Sequence, residues 1–166
     1  WILKNGIPAK SKEFVEGEEF LYLGENYKLK IESCDNIKLD GLLYFPAEYS
    51  GNSRKKMIEW YKKEAKVIIT ERANLYSRVT GWKFKLISIR SAETRWGSCG
   101  AKGSINFAWK LVMAPIEVID YVVVHELAHL VERNHSSRFW DKVRMVFPDY
   151  KIRRKWLNDN RMKFKI

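Results

Sequence analysis

Cysteine is scarce in this chain: Cys34 and Cys99 are the only two in 166 residues. They form no metal-type cluster, and so few thiols point to a reducing, cytoplasmic compartment. No apolar run reaches the roughly 20 residues of a membrane span. No signal peptide is visible, so neither insertion nor export is expected. Internal repeats and low-complexity segments are absent as well. The chain starts at Trp1 and not at Met, and is expected to be a piece of something longer. Histidine is the most telling scarcity. There are three, and all fall within the eleven residues from His125 to His135.

The length suits one domain with its own core, or a domain plus a small appendage. Aromatic residues make up 14%, with seven Trp, too many bulky apolar groups for a disordered chain. The net charge of +11 is unevenly spread. Residues 1–50 carry 6 Lys/Arg against 9 Asp/Glu, residues 54–90 carry 11 against 3, and residues 142–165 carry 9 against 2. Two basic stretches suit an anionic partner, nucleic acid or nucleotide. Solvated helix faces account equally well for the same charges.

Residues 1–50 read as short strands and turns. Glu19–Gly24 and Tyr27–Ile31 suggest a hairpin turning at Gly24-Glu25-Asn26, and Leu42–Phe45 before Pro46 suggests a further strand. Residues 54–78 read as a long helix, with Met57, Trp60, Tyr61, Ala65, Ile68, Ile69 and Tyr76 at helical spacing. The run from Trp82 to Ile89 alternates like a half-buried strand, residues 91–103 form a polar connection, and Ser104–Leu111 looks like another strand. A helix is expected from Pro115 to Arg133, ended by a left-handed Asn134. Ser136 is placed to cap the next helix, which Pro148 stops, and Asp149 to cap a last basic one.

The histidine window opens with His125-Glu126-Leu127-Ala128-His129, an H-E-x-x-H motif. On a helix, positions i and i+4 lie one above the other, so two imidazoles reach one metal ion. His135, six residues on, can complete three ligands and leave a position open, the arrangement of catalytic rather than structural zinc. Glu126 is placed as general base toward a metal-activated water. Glu132 is a candidate to accept a hydrogen bond from a ligand imidazole, although a plain surface charge explains it too. The spacing to His135 fits metzincins, but Glu132 stands where their glycine would be, and no Met-turn follows.

Further residues carry a resemblance. Thr94-Arg95-Trp96-Gly97-Ser98-Cys99, Ile105-Asn106, Leu111–Pro115, Val118–His129, Asn134-His135-Ser136 and Phe139-Trp140 resemble the YgjP-like family, a WLM-type, SprT-related group of zinc metallopeptidases. The match covers roughly residues 57–150. The resemblance implies an α+β, minimal zincin-like domain over 51–166, with a small sheet packed on the active-site helix and further helices. It implies a β-rich segment over 1–50 that continues before Trp1. It also implies one zinc ion on His125, His129 and His135, catalytic Glu126, and Arg95, Trp96, Gly97, Ser98 and Asn106 lining or supporting the cleft. Physically, Asn106 can donate to a substrate oxygen and Arg95 can grip a carboxylate or phosphate. Ser104–Leu111 is the natural candidate for an edge strand over the helix. The expected function is a zinc-dependent metallopeptidase. Nucleotide pyrophosphatase activity, which has been proposed within the family, and a zinc-stabilised nucleic-acid module are the alternatives. The expected partners are a peptide or nucleotide substrate and, through the basic faces, nucleic acid.

Overall fold

The computed structural model describes residues 10–166, so the first nine residues of the expected β-rich segment lie outside the described part. Four strands come first: β1 (Glu19–Tyr22), β2 (Glu25–Glu32), β3 (Lys38–Asp40) and β4 (Leu42–Pro46). They form a sheet in the order β1-β2-β4-β3, with β2 and β4 parallel and the other pairs antiparallel. The expected hairpin is present as β1 and β2. Leu23 and Gly24 both turn through positive φ, and tight turns of this kind favour glycine.

The expected long helix is α1 (Ser53–Thr80). Its buried stripe is Met57, Tyr61, Ala65, Ile69 and Ala73, one residue per turn. Gly81 ends it in the left-handed conformation. A second sheet follows, from β5 (Leu86–Arg90), β6 (Gly97–Cys99) and β7 (Ser104–Ala108), in the order β5-β7-β6. β7 is thus the central strand, not the edge expected from its sequence. The edge on the site side is β6, three residues inside the stretch read as a polar connection. β7 is also shorter than expected, because Trp109–Met113 winds into a 3-10 turn.

The central helix is α2 (Ile116–Ala128), followed by α3 (Ser137–Val146) and α4 (Tyr150–Asn160). Every residue from Val118 to Val124 is buried. That fits an element apolar on nearly all sides, which packs against α1, α3, α4 and β6. Two devices fix its position. The backbone N–H groups of Leu23 and Gly24 donate to the carbonyls of Val112 and Met113, both at 2.9 Å, just ahead of the helix. Further along, Asp120 takes a bidentate bond from Arg72 of α1, at 2.6 and 2.7 Å, and a third from the Tyr76 hydroxyl at 2.9 Å. One hydrophobic cluster runs from Phe20, Leu29 and Phe45 through α1 to α2, Phe139 and Leu157, crossing the expected boundary at residue 50. The architecture is α+β, with two small sheets and four helices among the described residues.

Candidate metal centre and cleft

His125 and Glu126 occupy the last turn of α2, and His129 is its C-terminal cap. The helix therefore stops at Ala128, five residues short of the expected Arg133. Its end tightens: the Leu130 N–H donates to Leu127 and the Val131 N–H to Ala128, at 3.0 and 3.1 Å, as 3-10 bonds. Asn134 does not take the expected left-handed conformation. The chain instead turns back through 132–136 and enters α3, where the Ser136 hydroxyl accepts the Phe139 N–H as expected. The expected cap at Asp149 differs: its carboxylate takes Arg153 at 3.1 Å and makes no cap bond.

This reversal returns His135 to the helix. Its Nε2 lies 3.1 Å from Nε2 of His129 and 3.2 Å from Nε2 of His125. Three nitrogens each about 2.0–2.1 Å from a tetrahedral zinc stand about 3.3 Å apart, so the donor set fits such an ion. The protonation fits too. His129 Nδ1 donates to the backbone carbonyl of Glu132 at 3.1 Å, which leaves Nε2 its lone pair. Glu132 thus supplies the acceptor through its main chain. Burial, then the neighbouring His129 and His135, pull the His125 pKa down to about 3, and burial also lowers that of His129. Both are neutral at pH 7, the form that ligates metal.

Phe139 is the platform under the cluster. Its ring stacks on His129 at 4.5 Å and meets His125 and His135 edge-on at 4.8 and 4.9 Å. Trp140 stacks on His135 at 5.8 Å. These rings restrict the rotamers of the three imidazoles.

Glu126 is 6% exposed, and burial pushes its carboxyl pKa up to about 8. It sits against β6. A Cβ placed on Gly97 would lie 2.7 Å from Glu126 Cγ and 2.8 Å from its Oε1. Above the histidines is a cleft of about 400 Å³, walled by β6 and Gly100. Arg133 stands at its rim and donates to the Ala101 carbonyl at 3.2 Å. Toward β7, the Trp96 carbonyl accepts from Ala108 and the Gly100 N–H donates to Ser104. Antiparallel alternation then turns the peptide groups of Gly97 and Cys99 away from β7, toward the open edge.

The structure thus brings His125, His129, His135 and Glu126 together, with Gly97 and Ser98 on the same cleft. Arg95 and Asn106 are not brought to it. Arg95 lines a separate cavity with Trp96. Asn106 shares the outer face of the sheet with Ser98, to whose hydroxyl it donates at 3.4 Å, and accepts from Arg90 at 3.3 Å. Sequence reading missed Arg133 and the platform role of Phe139; the latter was signalled by an aromatic four residues after His135.

A helix-borne histidine pair closed by a third imidazole, with a buried carboxyl between them and a strand edge above, defines a candidate metallohydrolase centre. The chain matches the YgjP-like metallopeptidase domain over residues 1–160 and belongs to that family, as its motifs led one to expect. Among solved structures it is similar to the metallopeptidase zymogen of Pyrococcus abyssi abylysin, at 27% identity over 57% of this chain and 92% of that one, with a TM-score of 0.49. No curated protein matches it. Among the described residues no helix is long and apolar enough to cross a membrane.

Proposed function

We propose that this chain is a zinc-dependent peptidase, with His125, His129 and His135 holding the ion and Glu126 acting as general base. When bound, zinc supplies a Lewis acid that brings the pKa of a water on it to about 7. Glu126 accepts a proton from the attacking water and returns it to the departing amine. A cation next to it favours its charged form, against the burial that raises its pKa. Phe139 and the Glu132 carbonyl hold the imidazoles in orientation.

The observation that carries the peptide reading is the open edge of β6 directly over Glu126. Free peptide groups at Gly97 and Cys99 suit an extended chain added as a further strand. Hydrolysis of a nucleoside triphosphate would call for several cations around the phosphates. The cleft lining contributes one, Arg133.

The test is zinc-loaded wild type and Glu126→Gln against a peptide library and against nucleoside triphosphates. Peptide cleavage is expected, reduced roughly 100-fold or more in Glu126→Gln at unchanged zinc content. Triphosphate hydrolysis without any peptide cleavage would overturn the reading.

A further inference from the structure

A second cavity, of about 200 Å³, opens where β6 begins. Its lining and that of the metal cleft meet at consecutive residues, Trp96 and Gly97. Its apolar wall is Trp96 against Phe164, with ring centroids 5.3 Å apart. Four cations line it: Arg95, Lys110, Arg161 and Lys165. The single acid is Glu93, and it is already engaged. Its carboxylate pairs with Lys110 at 3.1 Å, and its backbone carbonyl accepts from Arg161 at 3.1 Å. Those contacts hold two cations in place. Among the described residues, Arg95 and Lys165 have no acidic partner. The cavity therefore carries unneutralised positive charge beside an aromatic wall.

We propose that this cavity is an anion-selecting subsite for the polypeptide substrate, taking an Asp or Glu side chain on the C-terminal side of the scissile bond. The inference rests on the peptidase reading. A chain added antiparallel to β6 runs opposite to it, so residues beyond the cleaved bond pass the N-terminal end of β6, at Trp96. Trp96 directly precedes Gly97, which lies against Glu126, so the cavity falls within the first few residues after that bond. A partly enclosed carboxylate there meets Arg95 and Lys165, which offer charge-assisted hydrogen bonds.

The test uses fluorogenic peptides of one sequence carrying Glu, Gln or Lys at each of the three positions after the cleaved bond. Wild type is expected to show kcat/KM roughly tenfold higher for Glu than for Gln at one of them, as suits a hydrogen bond to a charged group. In Arg95→Glu/Lys165→Glu the Glu-to-Gln ratio should fall below one. A ratio near one in wild type at all three positions would overturn the subsite. A binding arm separates this from failure of the peptidase reading. Labelled Glu and Gln peptides are titrated onto zinc-loaded Glu126→Gln protein, whether or not any peptide is cut. Tighter binding of the Glu peptide, lost on adding Arg95→Glu/Lys165→Glu, supports the subsite. Equal binding of the two, or displacement of the Glu peptide by ATP at lower concentration than by unlabelled Glu peptide, overturns it.

Discussion

Gly97→Ala is a one-methyl probe of the whole arrangement. The new Cβ would stand 2.7, 2.8 and 2.9 Å from Cγ, Oε1 and Cδ of Glu126. Carbon atoms in ordinary contact sit about 3.5–4.0 Å apart, so roughly 1 Å of overlap must be relieved. The backbone of Gly97 is not in the left-handed region, so alanine meets no strain there. What yields is the end of the Glu126 side chain, away from β6. Displacing a catalytic group by about 1 Å costs on the order of 100-fold in rate. The expected phenotype is thus a kcat about 100-fold lower, zinc stoichiometry unchanged, and a melting temperature within a few degrees of wild type. Steady-state kinetics, metal analysis and thermal unfolding read the three quantities. The decisive control is the double variant with Glu126→Gln. If Gly97 acts only by seating Glu126, the second substitution adds almost nothing to the loss from the first. Wild-type turnover in Gly97→Ala, or multiplicative losses in the double variant, would refute the reasoning.

His129→Ala and His135→Ala should each lose stoichiometric zinc, whereas wild type holds one ion per chain; equal metal content in all three would remove the centre. Asp120→Ala strands the Arg72 guanidinium, and breaking a buried pair from one side costs about 3 kcal/mol, or roughly 10 °C in melting temperature for a chain of this size; a shift under about 2 °C would show the pair to be idle. The apolar double replacement Arg72→Met/Asp120→Leu should recover much of that loss, read by the same melt. Gly24→Ala would set a Cβ 2.8 Å from Cγ of Pro115 at a φ of +83°, so it should lower the melting temperature more than Gly41→Ala, where positive φ is the only obstacle; equal shifts would mean that the contact with Pro115 carries no weight.

The histidine cluster was legible because helical periodicity alone stacks His125 on His129. The third histidine was legible as a member of the cluster, but its path was not. A run apolar through Val131 reads as helix, while Leu130 and Val131 make 3-10 bonds on the way to a reversal. The strand edge over the cleft was illegible for a different cause. Gly97-Ser98-Cys99 is too short to show alternation, and its glycine reads as loop. Alternation along β7 does account for Asn106 afterwards. Ile105 and Phe107 are buried on the helix side, so the residue between them faces outward. The parallel pairing of β2 with β4 carries no local signature at all, since it depends on a crossover rather than a turn.

The bond between the Leu23-Gly24 turn and the carbonyls of Val112 and Met113 also sets an order in time. A ribosome releases that turn some ninety residues before the segment it holds. The seat for the start of the central helix is therefore already synthesised when the helix emerges. The three histidines follow within eleven residues of one another, so gathering them needs only a short loop, whose entropic cost is small. The long-range step is the docking of an early hairpin just ahead of a late helix, whereas bringing His135 back to that helix asks only for the local turn through 132–136.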